Sequence, residues 1–290
     1  MSYNEANDTR VFSLAMEFLL GSRTRGAKPV TNEMLQAYFH PIRPNTVAGI
    51  YRHLLESAQN ANMKAGVIGK SIDGLPNLAL VLCEFDPKEV VKKYGNSREQ
   101  VFEDIKRILK PRGTVNSGPS GLWPKYCRTI LDGARFMTQF VSAEDFYTWV
   151  SIFYDEDRTR PALPLLLKEE ISGFGLALAC DFLKELGYVK FAKPDVHLRK
   201  IFTELELCRD GASDYELLRA IVRVADNCGI TPYHADKVFW LIGSGNLYYH
   251  NLNLGRRSAE FVSYCRKRSH SEAAEPLRAP DRQETTPASR

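Results

Sequence analysis

The stretch LPLLLKEEISGFGLALACDFLKELGY, residues 163–188, decides the fold. Its apolar residues recur at helical spacing on both sides of Ile171-Ser172-Gly173-Phe174-Gly175, which predicts two helices joined by a tight hairpin. Two glycines flanking one apolar residue let the chain turn with no side chain lying over its backbone amides. Gly175 then opens a helix that carries Leu176, Ala179, Cys180, Leu183 and Leu186 on its apolar side. Free N–H groups at a helix start suit a phosphate oxygen, and such a contact holds a backbone without reading bases. Glycines between helices also serve steric needs, so the turn alone is a weak signal.

The segment beyond the second helix strengthens the signal. After Gly187 comes Phe191-Ala192-Lys193-Pro194-Asp195-Val196-His197-Leu198, then another helical pattern. Pro194 favours extended geometry before it and a helix start around it, which places Asp195 in a first helical turn. A structural N-cap is the bland role of an aspartate there.

Working outward, apolar residues keep helical spacing at 48–58, 77–83, 98–109, 127–140, 144–153, 195–207, 214–228 and 232–242. Asp73-Gly74, Pro87, Pro161, Gly211 and Gly229 break the pattern, and 111–121 reads as an inserted loop. Alternating strand patterns are few. The expectation is an all-α fold of about ten helices in one body, residues 26–265, preceded by a helical extension over 1–25. Residues 11–20 look like a short apolar run, but Glu17 interrupts it and ten residues cannot span a bilayer. No membrane span is expected elsewhere. The stretch 266–290 has Leu277 as its only large apolar residue and is expected to be disordered.

Composition narrows the classes less. There are 39 Lys and Arg against 35 Asp and Glu, a formal charge of +4, and the tail carries +2 of it. A polyanion-binding face must therefore come from segregating charge within a nearly neutral body. Cys83, Cys127, Cys180, Cys208, Cys228 and Cys265 are spaced for neither zinc nor an iron–sulfur cluster, and read as core thiols of a reducing compartment. No histidines pair at metal-ligand spacing, so no metal site is expected. Gly69-Lys70-Ser71 lacks the glycine that a phosphate-binding loop needs at position 64, which is Lys. Gly243-Ser244-Gly245 lacks a third glycine and follows a helical pattern. There is no GxSxG elbow.

Gly173-Phe174-Gly175 followed by Lys193-Pro194-Asp195-Val196-His197 resembles the helix-hairpin-helix DNA glycosylase superfamily, whose members carry an LPGVGxKTA-type hairpin and then a VDTHV-type segment. Leu54-Leu55-Glu56-Ser57-Ala58-Gln59 is similar to that family's LLSAQ segment. The resemblance implies a fold of that type over roughly residues 45–250 and a double-stranded DNA partner, with the protein a monomer. It also implies a base-excision enzyme that hydrolyses the N-glycosidic bond of a flipped damaged or mismatched base. Asp195 would be its catalytic carboxylate. Gly173, Phe174, Gly175, Gln59, His197, Arg199 and Lys200 would meet DNA, with Arg128 and Arg135 as secondary candidates.

The sequence departs from that pattern at Ala177, eighteen residues before Asp195, where endonuclease III-like members carry a lysine. Without it the strand-cleaving Schiff-base route is closed, so the expected enzyme is monofunctional. Lys184 reads as a solvated helix residue rather than a substitute. The alternative is a helix-hairpin-helix protein that binds DNA or lesions without chemistry. No cofactor and no iron–sulfur cluster are expected; a monovalent cation on the hairpin carbonyls is a further implication of the resemblance. The location implied is cytoplasmic or nucleoid-associated, nuclear in a eukaryote. Trp123 and Tyr126 read first as packing residues and second as base-pocket aromatics.

Overall fold

Helix starts in this chain are set by short polar caps placed just before apolar periodicity. Asn4, Thr46, Ser142 and Ser213 each accept a first-turn amide, and Ser213 with Glu216 forms a reciprocal capping box. The computed structural model describes residues 4–22, 28–60, 66–113, 116, 118 and 121–273. Its α-helices in chain order are α1 (Glu5–Leu20), α2 (Asn32–Gln36), α3 (Val47–Ala58), α4 (Val67–Ser71), α5 (Pro87–Tyr94), α6 (Arg98–Asp104) and α7 (Leu122–Met137). They continue with α8 (Ala143–Tyr154), α9 (Ala162–Glu170), α10 (Leu176–Glu185), α11 (Val196–Glu204), α12 (Asp214–Asn227), α13 (Pro232–Ser244) and α14 (Ser258–Ala273). Two-residue strands, β1 (Asn246–Leu247) and β2 (Leu252–Asn253), pair antiparallel after α13. The fold is all-α.

One core joins these helices. α3 packs on α7 and α10, α9 on α10, and α11 on α13. Tyr51, Phe146, Phe174, Phe182, Phe202 and Phe239 are fully buried within it. α1 lays Val11, Leu14, Ala15 and Leu19 into the same core against α12, α13 and α14. It belongs to the body instead of extending from it.

Several expectations change in detail. Pro87 does not break a helix but starts α5 at its first position, with Asp86 accepting the N–H groups of Lys88 and Glu89. The pattern at 77–83 forms 3-10 turns, Leu75–Leu80 and Cys83–Phe85, because Pro76 and the positive φ angles at Cys83 and Glu84 prevent a regular helix. α7 begins at Leu122, ahead of the expected start at Cys127. The expected disordered tail is corrected at its start: Arg266–Ala273 continue α14, since Phe261, Val262 and Cys265 anchor the preceding turns in the core. Residues 274–290 and much of the 111–121 loop lie outside the described residues. Among the described residues no helix is long and apolar enough to cross a membrane.

Candidate functional site

The hairpin between α9 and α10 is clasped by α7. Thr129 Oγ1 donates to the Ser172 carbonyl at 2.6 Å, and Asp132 Oδ2 accepts the Ser172 N–H at 3.3 Å. Gly173 has φ of +79°, and a Cβ there would stand 2.9 Å from Thr129 Oγ1, so both backbone and packing demand glycine. Gly175 is different. Its φ is −69° and a Cβ would meet nothing within 4 Å. The chain's own packing does not explain a glycine there, whereas an open approach to the backbone would. No acceptor among the described residues meets the N–H groups of Gly173, Gly175, Leu176 or Ala177.

Phe174 is placed otherwise than the resemblance implies. Its side chain is 1% exposed and packs edge-on against Phe182, ring centres 6.0 Å apart. Its N–H is engaged by the Ile171 carbonyl. It is the anchor that fixes the turn, and the glycines form the accessible surface. The carbonyls of Ile171, Ser172 and Gly175 each accept a hydrogen bond within the hairpin region.

Asp195 is the N-cap of α11. Its Oδ1 accepts the N–H groups of His197 at 2.8 Å and Leu198 at 3.1 Å. Its Oδ2 meets no donor among the described residues, and the side chain is half-buried. Val196 beside it is 75% exposed. One carboxylate oxygen is thus locked by the helix and the other is available, a geometry open to both the structural and the chemical role.

The segment presenting Asp195 is held by a buried ion cluster. Lys193 donates its backbone N–H to Asp236 Oδ2 and its Nζ to Asp181 Oδ2, both at 3.0 Å. Lys184 reaches Asp181, Glu185 and Asp236 at 3.3, 2.7 and 3.2 Å, and Lys237 reaches Glu185 at 2.7 Å. Burial opposes the charge on Asp181, but Lys193 and Lys184 outweigh it and hold that carboxyl well below the usual range. Burial likewise opposes the Lys193 charge, and Asp181 outweighs it. Lys184 is accordingly not the solvated residue expected of it. It is 3% exposed, because three carboxylates from α10 and α13 surround it. Ala177 stands one helical turn before Asp181 on the same side of α10, about 6 Å along the axis. The structure therefore brings Ala177 to the helix face that grips the Asp195 segment, with no amine at that position.

The remaining candidates are tied into the fold to different degrees. His197 lies half-buried against α13, where a Cβ on Gly243 would sit 2.6 Å from the His197 Cβ. Arg199 is drawn to the α12 start by Asp214 and the Ala212 carbonyl. Lys200 is exposed, with Glu204 at 4.0 Å. Gln59 ends α3 and accepts the Gly69 N–H at 3.2 Å, which holds α4 in place. Trp123 and Tyr126 are buried, and the Tyr126 hydroxyl donates to the Leu55 carbonyl, so packing is their role. Sequence reading missed Thr129, Asp132, Asp181 and Asp236. Thr129 and Asp132 lie three apart on α7 and Asp181 lies three before Lys184 on α10, whereas Asp236 has no charged residue at helical spacing on α13.

Comparison with protein-family profiles gives no match, and no curated protein matches. Among solved structures the chain is similar to a Methanocaldococcus jannaschii 8-oxoguanine glycosylase/lyase in complex with a 15mer DNA containing 8-oxoguanine. The two are 17% identical with a TM-score of 0.48, over 74% of this chain and 90% of that one. The likeness is loose, and neither that enzyme's residues nor its reaction is carried over.

Proposed function

We propose that this protein is a monofunctional DNA N-glycosylase. The observation that carries the reading is Asp195, with one oxygen locked into the α11 cap and the other free, beside a helix face that offers Ala177 instead of a lysine. Duplex DNA would rest a phosphate on the uncovered amides of Gly173, Gly175, Leu176 and Ala177. The target nucleotide leaves the stack, which costs least at a damaged or mismatched pair. As the N-glycosidic bond breaks, positive charge develops on the sugar. The free Asp195 oxygen stabilises it and can orient the water that completes hydrolysis.

Ala177 also suits a second reading, a scaffold that binds DNA or lesions without cutting. A panel of damaged duplexes separates the two. Release of free base that Asp195→Asn abolishes supports the enzyme; binding without release supports the scaffold. The family resemblance behind both readings also suggests a cytoplasmic or nucleoid-associated setting, nuclear in a eukaryote.

A further inference from the structure

Beside the hairpin, Arg98, Arg128, Asp132 and Arg135 line a cleft of about 310 Å³ with Asn96 and Leu131. Its link to the hairpin is a single carboxylate. Asp132 Oδ1 receives Arg135 Nη1 at 2.9 Å, while Oδ2 receives the hairpin amide of Ser172. Arg135 is fixed further by the Gly95 carbonyl at 3.1 Å and by Asn96. Arg98 contacts Glu99, which is 70% exposed and easily displaced by a stronger anion. Arg128 projects from α7 with no hydrogen bond or close ion pair among the described residues, its charge acting on Glu99. Three guanidiniums thus face two carboxylates. Arginine's planar fork matches the paired oxygens of a phosphodiester. Through Asp132 this cluster is tied to the hairpin, whose Gly173, Gly175, Leu176 and Ala177 amides meet no acceptor among the described residues.

We propose that the Arg98–Arg128–Arg135 cleft seats a second phosphodiester of the same duplex whose neighbouring phosphate rests on the Gly173, Gly175, Leu176 and Ala177 amides. The inference rests on the DNA-binding part of the proposed function and does not need base release. Asp132 acts as the spacer that fixes the distance between the two seats.

The test is the affinity of the full chain for a short undamaged duplex, measured across a potassium chloride series. The variants are Arg128→Ala, Arg128→Lys, the double variant Arg98→Ala with Arg128→Ala, and Arg219→Ala as an exposed control on α12. Neither Arg98 nor Arg128 holds a buried partner, so folding should be unaltered. Arg128→Ala should bind several-fold more weakly at low salt and flatten the log–log salt slope by about 0.9; the double variant should flatten it about twice as much. Arg128→Lys should keep the wild-type slope, and the control should match wild type. Unchanged affinity and slope in Arg128→Ala and in the double variant would overturn the seat, as would an absence of duplex binding at low salt. Should no lesion be excised while the slopes change as described, the enzymatic reading falls and the seat stands.

Discussion

Asp236 Oδ2 accepts the backbone N–H of Lys193 at 3.0 Å, which fixes the segment presenting Asp195 from a helix position 43 residues away. The same carboxylate sits 3.2 Å from Lys184 Nζ. Removing it leaves the Lys193 amide without its acceptor and the Lys184 ammonium with two carboxylates, Asp181 and Glu185, in place of three. Asp236→Ala should therefore destabilise the fold by about 1–3 kcal/mol, read as a lowered urea midpoint. Asp195→Asn should barely move that midpoint, since asparagine caps helices as well as aspartate does. An unchanged midpoint in Asp236→Ala would remove the cluster from the account.

The two hairpin glycines should separate folding from binding. Gly173→Ala imposes a left-handed conformation costing about 1–2 kcal/mol, with a collision at Thr129 Oγ1 added. Gly175→Ala has room for its methyl and should change stability by less than about 0.5 kcal/mol. Its duplex affinity should nevertheless fall several-fold, because the methyl lies over the amides that would meet phosphate. Paired urea and fluorescence-anisotropy titrations read both effects; wild-type affinity in Gly175→Ala would argue against the amides as a DNA seat.

His197 gives the site a pH dependence. Burial lowers its pKa, Asp195 opposes that shift, and Arg256 and Lys193 reinforce it. The folded state thus prefers the neutral ring, while the unfolded chain takes up a proton near its ordinary value of about 6.5. The stability from this group is fully present above about pH 6.5 and is lost as pH falls toward the folded pKa. NMR titration should find His197 below about 6.5, and His197→Asn should remove its share of that part of the stability–pH curve, burial of His234 supplying the rest. A ring titrating at or above the ordinary value would contradict the burial argument.

Ala177 makes a covalent prediction. Borohydride added to enzyme on damaged duplex should trap no protein–DNA adduct, because the nearby Lys184, Lys193 and Lys237 are each committed to carboxylates. Efficient trapping would show that one of these amines reaches the sugar.

Much of the fold was legible because helices announce themselves through local periodicity. The hairpin, α3, α8, α12 and α13 lie within a residue or two of where the pattern places them. Pro87 misled because its effect depends on whether it falls inside a helix or at its first turn. The site was only half legible. Gly173, Gly175 and Asp195 carry local signals, whereas the clasp from Thr129 and Asp132 forms across 43 and 40 residues. Lys184 shows the same limit. A charge on an apolar helix looks solvated until the partners that bury it are in place.

The most direct measurement incubates one excised lesion, in labelled duplex, with wild type and with Asp195→Asn, and resolves the products before and after hot alkali. Wild type should give a strand break only after alkali, marking an abasic site made without lyase chemistry, and Asp195→Asn should give none. A break that appears without alkali, or base release that survives Asp195→Asn, would contradict Asp195 as the sole catalytic group at a lysine-free site.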